Sequence, residues 1–473
     1  METGNEIDVV IVGGGFAGLS AATRLKEKGR SVVVLEARER VGGRSWTITE
    51  SGYWIDNGAQ WITDSQTRIV ELCGKAGVEM IPGFPAKGKV IFIFQGNRYE
   101  FEIDENEAEW LILTRFFQEN FLSHFNEYLA IEEKLGDMAR QVPTDAPWTA
   151  KQATIWDTMT VQSWINQNIK TDGAKFLMRQ FCLSYFASVP TDISLLHMLF
   201  YLNAAGGPAE LQTCMNYRLN GGTMQLTEYL AKGLGDAVKF NTPVREIDQS
   251  GKSVIIKTDK GVYVSKKVIV AISAGITSRI RFSPSLPASR VQFQQRAPLG
   301  SSVKCHLVYK TPFWEPEYNG VVMSDEHLLS VVANNNPPQK ESEEDAIESI
   351  QGVLGCFIET AKVRDNIDVP EEELKKMAKK AIEEIFKPSI PDMPEPLMVY
   401  VTNWCNEEWS GGCYSSPLAP GVWTGYKNAI REPVKNVFWA GTETSSRWNS
   451  YMEGAIRSGE RAADEADESL TES

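Results

Sequence analysis

The 473-residue sequence is poor in metal-binding side chains. It has four histidines and seven cysteines (Cys73, Cys182, Cys214, Cys305, Cys356, Cys405 and Cys413), none in a C-x-x-C pair. An odd, scattered set of cysteines supports neither a disulfide framework nor a zinc site, and fits a reducing compartment. No run of about 18 apolar residues occurs, so no membrane span is expected. Met1 to Asp8 lacks a basic and apolar leader, so no secretory signal is expected and the chain is read as soluble and cytoplasmic. Basic clusters are missing too. Lys plus Arg total 48 against 62 Asp plus Glu, a net charge of −14, which argues against nucleic acid as a partner. Hydrophobic residues at 42% and 37 glycines allow a large core and rule out a wholly disordered chain. The length corresponds to roughly two to four domains.

The first forty residues are the most legible. Ile7–Val12 is a β-branched run, Gly13-Gly14-Gly15-Phe16-Ala17-Gly18 follows, Leu19–Lys28 has helical character, and Ser31–Leu35 is a second strand ending at Glu36. This is a β-turn-α-β unit with a G-x-G-x-x-G turn and an acid 18 residues after the last glycine. Gly13, Gly15 and Gly18, with the small Ala17, let backbone approach a pyrophosphate and let helix pack on strand. The helix N-terminus offers N–H groups and a positive dipole end, and Glu36 would accept hydrogen bonds from the adenosine ribose. The unit predicts a dinucleotide site without separating NAD from FAD.

Further along, Glu102–Leu135 and Trp156–Phe186 are expected to be helical, with core-facing aromatic and leucine stripes. Val254–Thr258, Val262–Val264 and Lys267–Ala271 are expected as three short strands, and Asn334–Glu344 as a polar surface loop. Pro370–Lys387 is an amphipathic helix burying Leu374, Met377, Ala378, Ala381, Ile382, Ile385 and Phe386. Val437-Phe438-Trp439-Ala440-Gly441 is a buried strand stopped by glycine, and a helix follows over Tyr451–Ala463. The acid-rich end around Asp464, Glu465, Asp467, Glu468 and Glu472 is expected to be solvated and frayed. No second G-x-G-x-x-G follows a strand. No separate NADPH site is therefore evident, so if the dinucleotide is FAD it would be reduced by the enzyme's own organic substrate or by a protein partner.

Arg38-Glu39-Arg40-Val41-Gly42-Gly43-Arg44-Ser45 adds a second glycine pair directly after the ribose strand. Together with Gly441-Thr442-Glu443, it resembles the FAD-binding flavin amine oxidase family. The resemblance extends through Asp56-Asn57-Gly58-Ala59-Gln60-Trp61, Leu299-Gly300-Ser301-Ser302-Val303-Lys304, Pro312-Phe313-Trp314, Ser410-Gly411-Gly412-Cys413-Tyr414 and Gly441 through Gly459. Within the family it is most similar to the monoamine oxidase branch. This implies an α/β fold: a Rossmann-like FAD-binding domain (1–80, 212–290, 396–466) interleaved with an α+β substrate domain (81–211, 291–395), and an acidic tail at 467–473.

The resemblance also implies roles. Gly43, with Arg38 and Arg44, belongs to the cofactor-binding set, and Arg44 would meet pyrophosphate. Gly441 and Glu443 would lie near the ribityl–pyrophosphate region, and the backbone of Val244 would meet adenine. Met452, opening the last helix, would face the flavin pyrimidine. Cys413 would form a thioether to the flavin; the residues alone leave open a free thiol buried as a small hydrophobe. Tyr414 and Tyr451 would flank the amine, since facing rings attract a cation and orient a neutral amine. Lys304 would hold a water at flavin N5, although strand alternation alone does not decide where it points. Trp61 and Tyr318 would line the substrate cavity, while His197 and His306 are read as structural.

The implied reaction is oxidative deamination of a primary or secondary monoamine. The α-carbon gives a hydride equivalent to flavin N5, the imine hydrolyses to aldehyde, and O2 returns the cofactor to FAD with H2O2. A polyamine or diamine oxidase is the nearest alternative and would want acids along the tunnel, where only Asp64 is seen. An L-amino-acid oxidase is disfavoured because Gln60-Trp61 stands where such relatives carry Met-Arg. A flavin-binding protein without turnover is disfavoured by Lys304, Tyr414 and Tyr451. Small amine and O2 are the expected partners, and a homodimer is left open.

Overall fold

A computed structural model describes residues 6–50, 53–83, 87–102, 122–338 and 352–472. Part of the predicted helix at Glu102–Leu135, and of the predicted loop at Asn334–Glu344, lies outside these ranges.

The strand Ile7–Val12 is buried on both sides because its side chains alternate between two apolar layers. Val9 and Ile11 pack with Leu19, Leu25 and Ile456, while Val10 and Val12 pack with Ile247, Val268 and Trp439. A strand covered on both faces reads as an unbroken β-branched run, as it does here. It pairs in parallel with Val32–Leu35 on one side and Gly261–Val270 on the other. An eight-stranded sheet results, ordered 281–283, 244–248, 254–258, 261–270, 7–12, 32–35, 238–239, with Val437–Trp439 added beside Gly261–Val270. The three expected strands between Val254 and Ala271 are two. Val262–Val264 and Lys267–Ala271 fuse into Gly261–Val270, whose first half pairs back on Val254–Thr258 and whose second half enters the parallel sheet.

A second, seven-stranded sheet runs in the order 398–403, 302–309, 352–359, 331–334, 318–324, 89–94, 97–102. Its edge strand Met398–Asn403, assigned on sequence to the FAD segments, pairs along Ser302–Tyr309 and so belongs to this second sheet. The helix Glu371–Phe386 covers one face with Leu374, Ala378, Ile382 and Phe386, as its spacing predicted. Helices Leu122–Ala139, Val161–Asn168, Asp172–Phe186 and Leu195–Ala205 share a third core. The chain thus has a mixed α/β fold with a Rossmann-like unit and a second sheet flanked by helices. Among the described residues, no helix is long and apolar enough to cross a membrane.

The last helix, Met452–Thr471, does not fray at its acidic end. Arg24 pairs with Asp464 at 3.1 Å, and Asp467 takes Lys28 at 3.0 Å and Arg30 at 2.6 Å. The acids therefore face the basic end of helix Phe16–Glu27, which corrects the expected acidic tail. The two helices meet where Gly459 crosses Ala17; a Cβ there would stand 2.1 Å from the Ala17 carbonyl oxygen.

Gly459→Ala is expected to force these helices apart and destabilise the fold by about 2 kcal/mol. In Gly233→Ala, by contrast, the new Cβ meets no atom within 4 Å, and the change should add up to about 1 kcal/mol through helix propensity. Equilibrium denaturation of both variants measures the contrast.

Candidate active site

A single cavity of about 760 Å³ runs from the glycine turn to the second sheet. Its near end is backbone. Gly15 caps helix Phe16–Glu27 with no side-chain hydrogen bond, so the first N–H groups of the helix remain available to a ligand. Gly42 lies beside it, bridged to Gly15. A Cβ added at Gly15 or Gly43 would come no nearer than 3.6 Å to any protein atom, so that room belongs to a ligand. Gly18 serves packing instead, because a Cβ there would lie 1.9 Å from the Gly13 carbonyl oxygen.

Glu36 stands at the end of its strand with Oε2 accepting from the Gly14 N–H at 2.7 Å and Oε1 from the Arg38 N–H at 2.8 Å. Arg38 donates through Nε to Glu407 at 3.2 Å and through Nη2 to the Ser410 hydroxyl at 2.9 Å. Arg44 pairs with Glu443 at 2.7 Å and donates to the Tyr414 carbonyl at 2.9 Å, joining the N-terminal motif to both C-terminal ones. Gly13, Ala17, Gly441 and Met452 line the same cavity. Val244 lies in the apolar layer with Val10 and Leu35. Its neighbour Thr242 is tied to the Glu36 carbonyl at 2.8 Å.

Farther in, Lys304 is buried on Ser302–Tyr309 and lines the cavity. Its Nζ donates to the Gly58 carbonyl at 3.1 Å and to Gln60 Oε1 at 2.8 Å, and the Gln60 amide donates to Asn335 at 2.8 Å. The ammonium stands 5.4 Å from the Trp61 ring centroid and 5.3 Å from that of Phe357. Burial pulls its pKa down to about 8 against the attraction of Asp56. Asn335 had been assigned to the surface loop, yet it is buried. It reaches Gln60 because Gly355 carries no side chain: a Cβ there would stand 2.2 Å from the Asn335 amide.

Tyr414 and Tyr451 are both in the wall. Tyr414 donates to the Leu183 carbonyl at 2.9 Å, and the Tyr201 hydroxyl donates to that of Tyr451 at 2.9 Å. Trp448 meets the Tyr451 ring edge-on at 4.9 Å. Burial holds both phenols well above their usual pKa. Cys413 is buried, lines the cavity, and has its thiol pushed up by burial, with Arg44 and Lys304 pulling the other way.

Tyr318 is a correction. Of the strand Tyr318–Ser324, Asn319, Val321, Met323 and Ser324 line the cavity, while Tyr318 and Val322 pack into the core. The Tyr318 hydroxyl donates to Glu100 at 2.8 Å instead. Trp61 is in the wall. His197 accepts from Trp423 at 3.3 Å in a helical core, and His306 is fully buried within its strand. Asp64 is exposed; the acids in the substrate end of the wall are Glu132 and Glu359, neither singled out from sequence. The legible signal for Glu359 was a carboxylate closing the apolar run Gly352–Ile358.

A βαβ unit opening on a long cavity, which ends in an aromatic chamber around one buried lysine, defines a flavin-dependent oxidoreductase, and the bare glycine cradle fits FAD. Residues 16–466 match the family described as flavin containing amine oxidoreductase. A flavin-containing amine oxidase from Oncorhynchus mykiss is 34% identical over 98% of this chain and 86% of its own length. Flavin-containing amine oxidase B from Homo sapiens is also 34% identical, with the same coverage. Among solved structures, putrescine oxidase bound to putrescine superposes with a TM-score of 0.86 at 26% identity, covering 97% of this chain and 98% of that one. Cyclohexylamine oxidase from Brevibacterium oxydans gives 0.84 at 28%, covering 98% and 100%. The chain belongs to the flavin-containing amine oxidase family and is an enzyme of FAD-dependent amine oxidation.

Burial raises the Glu359 carboxyl from 4.5 to about 7. An acid whose pKa is raised by folding contributes stability that is full below 4.5 and lost as pH rises through about 7. The loss corresponds to about 3 kcal/mol. Thermal unfolding of wild type and Glu359→Gln from pH 4 to 8 should show wild type falling relative to the variant across that window.

Proposed function

We propose that this enzyme deaminates a primary or secondary monoamine, with the reacting nitrogen held between the rings of Tyr414 and Tyr451 and O2 as the electron acceptor. The observation that carries the reading is an aromatic chamber whose two tyrosines are fixed by their own hydroxyls, leaving the ring faces to the substrate. No phenol there ionises near neutral pH, so the amine must enter the chamber as the neutral base or lose its proton on the way in.

When bound, FAD supplies a two-electron acceptor that O2 restores with release of H2O2. Glu36 would take the ribose hydroxyls. The N–H groups after Gly15, with Arg44, would take the pyrophosphate, and the start of helix Met452–Thr471 would offer its N–H groups and positive dipole end to the pyrimidine carbonyls. Lys304 keeps two hydrogens on Gly58 and Gln60, and its third is free to hold a water beside N5. Cys413 would hold the flavin through a thioether to its ring methyl carbon, the thiol and the methyl each giving up a hydrogen and the two electrons passing through the flavin to O2; its burial in the cavity wall beside Tyr414 supports this. The seven cysteines, none of them in a disulfide, suit the reducing cytoplasm.

A second reading, a diamine oxidase, is favoured by one feature, the carboxylates of Glu132 and Glu359 in the wall. The two readings share the reacting nitrogen and differ in what holds the rest of the substrate.

Anaerobic mixing with a panel of amines should bleach the oxidised flavin band; a band unchanged by every amine overturns the oxidase reading. Tyr451→Leu should lower kcat/KM for an amine about tenfold, the worth of a desolvated ring–amine contact, read by peroxide release. After acid precipitation the yellow colour should stay with wild-type protein and leave with the supernatant in Cys413→Ala. Colour released from wild type would show the cofactor to be held without a covalent bond.

A further inference from the structure

Along the strand Ser302–Tyr309, Val303, Cys305 and Leu307 pack into the core beneath helix Glu371–Phe386. Side chains alternate along a strand, so Lys304 and His306 share the opposite face, roughly 7 Å apart. His306 is fully buried, and neither ring nitrogen has a hydrogen-bond partner among the described residues. Two more buried atoms around the lysine are also without partners there. They are Asn57 Oδ1, one residue before the Gly58 carbonyl that Lys304 bonds, and Arg218 Nε.

Each unpaired buried polar group costs on the order of 1–3 kcal/mol, and internal water is what meets groups of this kind. On one side His306 is paired with Gly355, over which the Asn335 amide lies. It therefore borders the chain of Lys304, Gln60 and Asn335. On the other side it is paired with Tyr400, about 5 Å away between Cα atoms. The Tyr400 hydroxyl lies 2.8 Å from that of Tyr53 and donates to the exposed carboxylate of Glu50 at 2.7 Å. Polar groups thus run from the cavity lysine, past the imidazole, to the surface.

The oxidase reaction has a use for such a line. Reduction of O2 to H2O2 takes two electrons and two protons. The hydride equivalent from the amine supplies both electrons and one proton, and the second proton must be delivered to the site. Lys304 can give it, directly or through the water it holds, and then needs one back. We propose that His306 returns that proton, passing it from Glu50, through the Tyr400 hydroxyl and internal water, to the Lys304 amine. The imidazole takes a proton on one nitrogen as it gives one from the other, so it begins and ends neutral. Burial and the charge of Lys304 keep it neutral, holding its pKa well below the usual value. Lys304, brought down to about 8, is able to part with a proton; Asp56 opposes the loss and Arg218 assists it. His306 is absent from the cavity wall and acts through Lys304. The proposal rests on the reading of the enzyme as an oxidase with O2 as acceptor.

The test separates the two halves of the cycle in FAD-loaded wild type, His306→Leu, His306→Gln and Tyr400→Phe. Anaerobic bleaching by an amine reads the first half, and mixing the bleached enzyme with O2 reads the second. His306→Leu and Tyr400→Phe are expected to slow return of the flavin band about tenfold or more, the low end of what a positioned proton transfer contributes, while bleaching stays within about twofold of wild type. The slowed step should carry a solvent deuterium isotope effect that bleaching lacks. His306→Gln, which still holds water, should regain part of the rate. Apart from turnover, histidine 15N spectra at pH 6 should show the resonance lost in His306→Gln to be a neutral imidazole hydrogen-bonded at both nitrogens. Return of the band within about twofold of wild type in His306→Leu or in Tyr400→Phe, equal slowing of both halves, or an imidazole with a bare nitrogen overturns the proposal. Should His306→Leu fail to fold, Tyr400→Phe and the spectrum decide. Failure of the oxidase reading looks different: no amine would then bleach the wild type.

Discussion

The site depends on one close approach of backbone to backbone. Gly459, in the last helix, lies against Ala17, in the helix that begins at the glycine turn, with no side chain between them. That contact sets Met452 and Tyr451 over the far end of the cavity that Gly13 and Gly15 open. Ionic contacts between Arg24, Lys28 and Arg30 and the acids Asp464 and Asp467 run along the same pair of helices. Partly exposed pairs of this kind contribute little energy singly; what they do is hold the helices in register. Arg44, bonded to both Glu443 and Tyr414, does the same work inside the cavity, drawing three distant motifs together through one guanidinium.

The second organising element is the polar cluster inside the sheet face. Lys304, Gln60 and Asn335 form a chain of short hydrogen bonds in an otherwise apolar wall. Each member holds the next, so the lysine arrives at the cavity with its direction set and its charge made less secure by burial. Gly355 is part of this arrangement, since the space above it is the space Asn335 occupies. Glu359, on the same strand, is the opposite case: its Oε2 has no hydrogen-bond partner among the described residues.

What could be read from the sequence was local or ordered in motifs. The βαβ unit is contiguous, its strands and turn carry their own periodicity, and Glu36 falls where the unit ends. Lys304, Cys413, Tyr414 and Tyr451 sit in short recognisable strings, and the cavity includes all four. Residues whose role depends on register across the chain were not legible. Asn335 and Glu359 reach the site only through pairings with strands that lie far away in sequence. Tyr318 shows the limit in one residue: its string was recognised, but a strand reverses faces at each step, and the neighbours Asn319 and Val321 took the cavity. The acidic end misled because composition cannot reveal that a basic helix end waits for it more than four hundred residues earlier.

The cavity wall combines Gly13 and Gly15 with Tyr451, Met452 and Ala455, and this orders events during synthesis. Until the residues after Gly441 have left the ribosome, the nascent chain has a nucleotide cradle without a floor, and the part of helix Phe16–Glu27 that the last helix covers stays open. Closure of that face and completion of the cofactor chamber are one step. The flavin can therefore be fully enclosed only once the last helix has docked.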